Sequence, residues 1–137
     1  MQEKIDEKLL TLAKKAFNRD EIPVSAVIVK DNKIISCAFN QRQKSHDVTG
    51  HAEILAIRKA AKKLKDWRLN GCDLYVTLKP CSMCCEIVKQ SRINKVYFYS
   101  EKLFTKKEYN KTEFINVQTN VSQELVDFMR KTFKNKR

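Results

Sequence analysis

No apolar run in this chain approaches the length that spans a bilayer. The first segment, "MQEKIDEKLLTLAKKAF", is charged throughout and lacks the uninterrupted apolar stretch of a secretory signal, so a cytoplasmic protein is the expectation. Repeats and low-complexity segments are missing as well, which excludes solenoid and disordered designs. Acidic residues are outnumbered, 16 against 28 lysines and arginines, and the net charge of +12 favours a polyanionic partner such as nucleic acid. An even set of cysteines is also lacking. Five is an odd number, and in a reducing compartment it argues against a disulfide framework.

What is there describes a globular protein. A length of 137 residues with 42% hydrophobic and 32% charged content is enough for a core, and one domain over 1–137 is expected. From Ile5 to Asn18, apolar residues recur at helical spacing between lysines and acids. "IPVSAVIVK" and "KIISCAFN" read as strands joined by "DN", a two-residue hairpin link suited to positive φ. "HAEILAIRKAAKKLK" reads as a second helix ended by Asn70 and Gly71, and "CDLYVTL" as a central strand. "PCSMCCEIVKQ" is expected to be a short helix with Pro80 at its first helical position. "KVYFYS" is a fourth strand and "FINV" a short fifth candidate. Residues 101–113 read as a loop, and a last helix is expected to open at Ser122. A hairpin followed by alternating helices and strands implies an α/β layered sheet with helices on both faces.

Two fragments carry chemistry: "HAE" at His51 to Glu53 and "PCSMC" at Pro80 to Cys84. A catalytic zinc keeps three protein ligands and one open position, and His51, Cys81 and Cys84 are ligands of suitable type. Cys81 and Cys84 stand i and i+3, on one helix face, with Cβ atoms about 5–6 Å apart. His51 and Glu53 stand i and i+2, roughly 200° apart on a regular helix. They can converge on one metal only at the first turn, so the site is expected between two helix N-termini, whose dipoles favour thiolates. Zinc would lower the pKa of its water, and Glu53 would take that proton and pass it to a leaving nitrogen.

The alternatives are a structural zinc half-site or a redox pair. The first needs a second ligand pair, and no other Cys-x-x-Cys or paired histidine exists. The second leaves "HAE" unexplained. Spacing alone would also permit Cys85, at i+4 from Cys81, as a ligand; core filling is the expectation for it and for Cys37 and Cys72. His46 is expected in a loop.

These residues resemble the cytidine deaminase-like superfamily, with its H-x-E and P-C-x-x-C signature. Within it the stretches "EIPVSAVIV", "HDVTGHAEILAIRKA", "WRLNGCDLYVTLKPCSMC" and "SRINKVYF" are similar to bacterial tRNA-specific adenosine deaminases, over roughly residues 8 to 98. The resemblance implies a three-layer α/β/α sandwich with a mixed five-stranded sheet, and usually a homodimer whose partner helps build the RNA site. It implies one Zn2+ per chain on His51, Cys81 and Cys84, with Glu53 as proton shuttle and a zinc-bound hydroxide as nucleophile. The implied reaction converts adenosine to inosine at the wobble position of a tRNA anticodon loop. Asn40 would contact the nucleoside and Val24 would border the base pocket. Three departures stand out: Lys79 replaces the family's glutamate, "YSEKLFTKKEY" replaces a loop that helps hold RNA, and Cys85-Glu86-Ile87 replaces a glycine-alanine pair. The basic tail "RKTFKNKR" offers Arg130, Lys131 and Lys134 as RNA contacts. Deamination of a free base or nucleoside (guanine, cytosine or cytidine) and a non-catalytic zinc-stapled RNA-binding subunit are the competing readings.

Overall fold

The computed structural model describes residues 1–101, 112–116 and 118–133. These fall in two units, Met1–Thr105 and Lys106–Arg137. In the first unit the chain runs α1 (Gln2–Phe17), β1 (Ser25–Lys30), β2 (Lys33–Phe39), α2 (Ala52–Leu64), β3 (Cys72–Leu78), α3 (Ser82–Gln90) and β4 (Lys95–Ser100). The second unit contains α4, Asn120–Phe133.

The hairpin forms where expected, with Asp31 and Asn32 both at positive φ (50° and 61°). It pairs β1 and β2 antiparallel, with a bulge between Ile28 and Val29. β1 pairs antiparallel with β3, and β3 pairs parallel with β4 through the α3 crossover. The strand order is therefore β2-β1-β3-β4, with β3 internal as anticipated. The mixed sheet is confirmed, but among the described residues it has four strands rather than five. Residues 114–116 of "FINV" join no ladder, and Phe114 and Ile115 are 93% and 78% exposed. Apolar content favours a strand only where a neighbouring strand satisfies its N–H and C=O groups.

Alternation along β1 and β3 sends side chains to both faces. Ala26, Ile28, Leu74 and Val76 pack in the larger core cluster with α2 residues and with Val88 of α3. The alanines at 52, 56 and 60 form a small-residue stripe that lets α2 sit close on the sheet. Val27, on the opposite face, packs with Ile5 and Leu9 of α1, with Tyr75 at the margin. Helices thus cover both faces. Ser25 Oγ donates to the Leu9 carbonyl (2.6 Å) and Ser36 Oγ to that of Ala56 (2.9 Å), tying each helix layer to the sheet.

Three element ends differ from expectation. α2 stops at Leu64, because Lys65 adopts the left-handed conformation (φ 56°) and its N–H turns back to the carbonyls of Ala61 and Lys62. Gly71 (φ 77°) marks the turn into β3 instead. Pro80 lies before the N-cap of α3 rather than at its first helical position, because Cys81 takes the cap with extended backbone. α4 opens at Asn120, two residues before Ser122. Phe128 of α4 is 64% exposed.

Candidate metal centre and its surroundings

β3 ends at Leu78, and the Lys79 N–H extends its ladder to β4 by one bond to the Ser100 carbonyl (2.9 Å). Pro80 then disfavours helical backbone at Lys79, so the chain reaches Cys81 still extended. His51 occupies the equivalent position at the start of α2: both residues are N-caps with extended backbone. The His51 carbonyl accepts from Leu55 N–H (3.0 Å) and that of Cys81 from Cys85 N–H (2.9 Å), so each backbone already serves its helix. Neither side chain makes a cap hydrogen bond. The imidazole and the thiol are thereby left for the space between the two helix starts.

The trio converges there. His51 Nδ1 is 3.3 Å from Cys84 Sγ and 3.7 Å from Cys81 Sγ, and the three ligand atoms lie within 4.8 Å of one another. Tetrahedral zinc, with bonds of about 2.0–2.3 Å to N and S, needs ligand atoms separated by roughly 3.3–3.8 Å. The donor set and its spacing fit one zinc ion, with burial graded from Cys84 (buried) through His51 to Cys81 (exposed).

Electrostatics agree with that chemistry. Hydrogen bonds from Cys84 and His51 lower the Cys81 thiol to about 3, making it a thiolate. Cys84 is raised, first by its hydrogen bond to Cys81 and then by burial. The hydrogen bond with Cys81 raises His51, against the opposing effect of burial. Glu53, in the first turn of α2, is only 4% exposed, and burial raises its carboxyl above the ordinary value. His51, Cys81 and Cys84 all act electrostatically on that carboxyl, so Glu53 stands against the trio but outside the ligand set.

The remaining sequence candidates divide. Cys85 is half-buried, donates to the Pro80 carbonyl (3.5 Å) and lies outside the trio. Cys72 is in the core and Cys37 packs at the α1 face. His46 lies in an exposed loop at φ 49°. Asn40 is buried, and its N–H donates to the Val24 carbonyl (2.9 Å), so these two extend the β1–β2 ladder together. The next residue, Gln41, donates to the Gly50 carbonyl (2.8 Å), which brings Asn40 near the residue preceding His51. Lys79 points to Glu101 (4.0 Å) and over the Phe98 ring (5.7 Å). Arg130 and Lys131 are exposed on α4; Lys134 lies outside the described residues, as does most of the loop after Ser100.

Three features escaped the sequence reading. Glu21 is a buried acid bonded to the loop before α2. Gly50 packs so closely on that loop that a Cβ would stand 2.8 Å from Arg42 Cα. Trp67, 54% exposed, has the guanidinium groups of Arg68 and Arg92 over its ring at 4.6 and 5.3 Å. A Trp-Arg dipeptide hints at the last, but Arg92 joins it only through the fold.

Residues 1–100 match the family model for the cytidine and deoxycytidylate deaminase zinc-binding region. The chain is 51% identical over 86 residues to a tRNA-specific adenosine deaminase of Aquifex aeolicus, a match covering 63% of this chain and 57% of that relative. Among solved structures it is similar, with 40% identity and a TM-score of 0.72, to a chain from work on A-to-I editing by tRNA:A34 deaminases at the wobble position of transfer RNA. That match covers 74% of this chain and 78% of the other. A guanine deaminase from Bacillus subtilis aligns with a TM-score of 0.80 at 30% identity, covering 100% of this chain and 98% of the other.

Proposed function

The chain belongs to the cytidine and deoxycytidylate deaminase zinc-binding family, and from that premise we propose that it is a zinc-dependent hydrolytic deaminase converting adenosine to inosine at the wobble position of tRNA. The observation that carries this reading is the His51–Cys81–Cys84 trio with the buried Glu53 beside it. Zinc on that trio supplies Lewis acidity at neutral pH. Water adds at C6 of the adenine, the C6–N bond breaks, and ammonia leaves. Glu53 moves the protons: a carboxyl oxygen takes one from the attacking water and returns it towards the departing nitrogen. Its burial suits this exchange, because burial raises the carboxyl above its ordinary value and so favours uptake of a proton. Asn40 and Val24, paired beside the loop that leads to His51, bind and border the nucleoside.

The RNA substrate is supported by the similarity to tRNA-specific adenosine deaminases, by the net charge of +12 and by the exposed Trp67–Arg68–Arg92 cluster. Arg130 and Lys131, with Lys134 beyond them, serve as further phosphate contacts. An anticodon loop is single-stranded, so a base can be splayed into the pocket at limited unstacking cost. The 137 residues act as one deaminase domain, in the cytoplasm, as a homodimer. The homodimer follows the resemblance, and light scattering on the purified chain tests it.

The full-length likeness to a guanine deaminase favours a second reading, deamination of a free base. One experiment separates the two. The zinc-loaded chain is incubated with an anticodon stem-loop and, separately, with guanine, cytosine and cytidine, followed by nucleoside and base analysis. Inosine in the stem-loop supports the first reading; ammonia from a free base with an unmodified stem-loop replaces it with the second. Glu53→Ala is expected to abolish turnover while one zinc per chain remains. Undiminished turnover would remove Glu53 from the chemistry and favour neither substrate.

A further inference from the structure

Glu21 has no part in the proton chemistry, yet its side chain is 5% exposed. It stands where α1 ends. Asp20 turns the chain at φ 59°, and the Glu21 N–H donates to the Ala16 carbonyl at 3.0 Å, so the acid is placed by the helix terminus itself. From there its two carboxylate oxygens take separate partners. Oε1 accepts from the Gln43 N–H (3.0 Å) and Oε2 from the Lys44 N–H (2.8 Å). A carboxylate bonded through both oxygens to consecutive backbone amides defines the direction of that peptide as well as its position.

The segment it holds joins two site residues. Residues 41–50 begin just after Asn40 and end just before His51. The Gln41 N–H donates to the Gly50 carbonyl (2.8 Å), closing the neck of the loop. Inside the neck, Arg42 backbone lies against Gly50 with no room for a Cβ. The far side has its own brace: Asp47 Oδ1 accepts from the Thr49 N–H (2.9 Å) and hydroxyl (2.7 Å), and Arg58 Nη2 donates to that hydroxyl oxygen at 3.2 Å. The near side, residues 42–44, has Glu21. Movement of Arg42 would be passed directly to Gly50, one residue from the metal ligand.

We propose that Glu21 is a positioning residue for deamination: its carboxylate holds the loop of residues 41–50 in the shape that sets Asn40 and His51 around the bound substrate. The reaction in this statement rests on the function proposed above; the loop geometry does not. A role confined to stapling the end of α1 would lower the melting temperature and leave substrate affinity alone. Positioning acts on KM, because Asn40 contributes to binding, while Glu53 and its proton path are untouched.

The test compares the zinc-loaded full chain with Glu21→Ala and Glu21→Gln. Amide hydrogen exchange is read without substrate, and steady-state kinetics with whichever substrate the wild type turns over. Glu21→Ala is expected to speed exchange at Gln43 and Lys44 and also at Gln41 in the neck, and to raise KM about tenfold with kcat within about twofold. Glu21→Gln keeps one acceptor oxygen and is expected to lie between, and it carries the test if the alanine variant fails to fold. Unchanged Gln41 exchange, or unchanged KM despite faster exchange at Gln43 and Lys44, overturns the inference. A wild type that turns over neither stem-loop nor free base removes the proposed function, while the exchange at Gln41 still decides whether Glu21 holds the loop.

Discussion

At the scale of single residues, the metal trio was legible because each member carries its chemistry in its own side chain and two of them stand one helical turn apart. Cys81 and Cys84 announce a shared ligand by spacing, and His51 by its type. Cys85 shows where spacing stops deciding: at i+4 it was equally permitted, and only its contact with the Pro80 carbonyl, away from the trio, separates it. Accordingly, Cys85→Ala is expected to retain about one zinc per chain and near-normal turnover, whereas Cys84→Ala loses both. Metal analysis after dialysis checks the pair, and zinc loss in the Cys85 variant would exchange their roles. Glu21 was not legible for the opposite reason. Its partners are backbone amides 22 and 23 residues away, and a backbone amide has no signature in a sequence.

At the scale of elements, periodicity located every helix and strand of the first unit, and the bounds of β3 and β4 agree with expectation to the residue. Helix ends agreed less well, since they depend on which residue accepts a left-handed or extended backbone. Lys65 does so at φ 56° to close α2, at a position where glycine is the usual solution. A non-glycine residue there costs about 1 kcal/mol, partly offset in Lys65→Gly by the extra freedom of the unfolded chain. The substitution is expected to stabilise by about 0.5 kcal/mol, read as a rise of a few degrees in Tm.

A second element-level contact joins α1 to β4. Tyr99 donates to Asp6, and that hydrogen bond is the main cause of a lowered Asp6 carboxyl. Burial, and next the same bond, push Tyr99 up to about 12. The signs define a window. The Asp6 contribution is present above its unfolded value of 3.8 and is lost as pH falls through the lower folded value. The Tyr99 contribution is present below the unfolded value of 10.0 and is lost as pH rises towards about 12. The stability difference between wild type and Tyr99→Phe is therefore expected to be widest at neutral pH and to shrink at both extremes. Denaturation midpoints across the pH range test it, and a constant difference would assign the effect to packing alone.

At the scale of the whole molecule, 28 basic against 16 acidic residues favour a polyanionic partner whose binding would weaken with salt. If Arg130 and Lys131 on α4 meet phosphates, changing each to alanine lowers the slope of log affinity against log salt by roughly one, with little change in turnover at saturating stem-loop. Equal slopes would return the tail to solvent. Among the described residues no helix is long and apolar enough to cross a membrane. By itself the sequence determined the ligand types, the acid two residues beyond His51, the layered α/β order and the sign of the surface charge, because all of these reside in side-chain chemistry and short-range periodicity. Tertiary structure alone decided how many strands the described sheet holds and which buried acid is bonded to the loop between Asn40 and His51. Those outcomes depend on contacts between segments distant along the chain, where burial and backbone pairing, rather than residue type, select the partner.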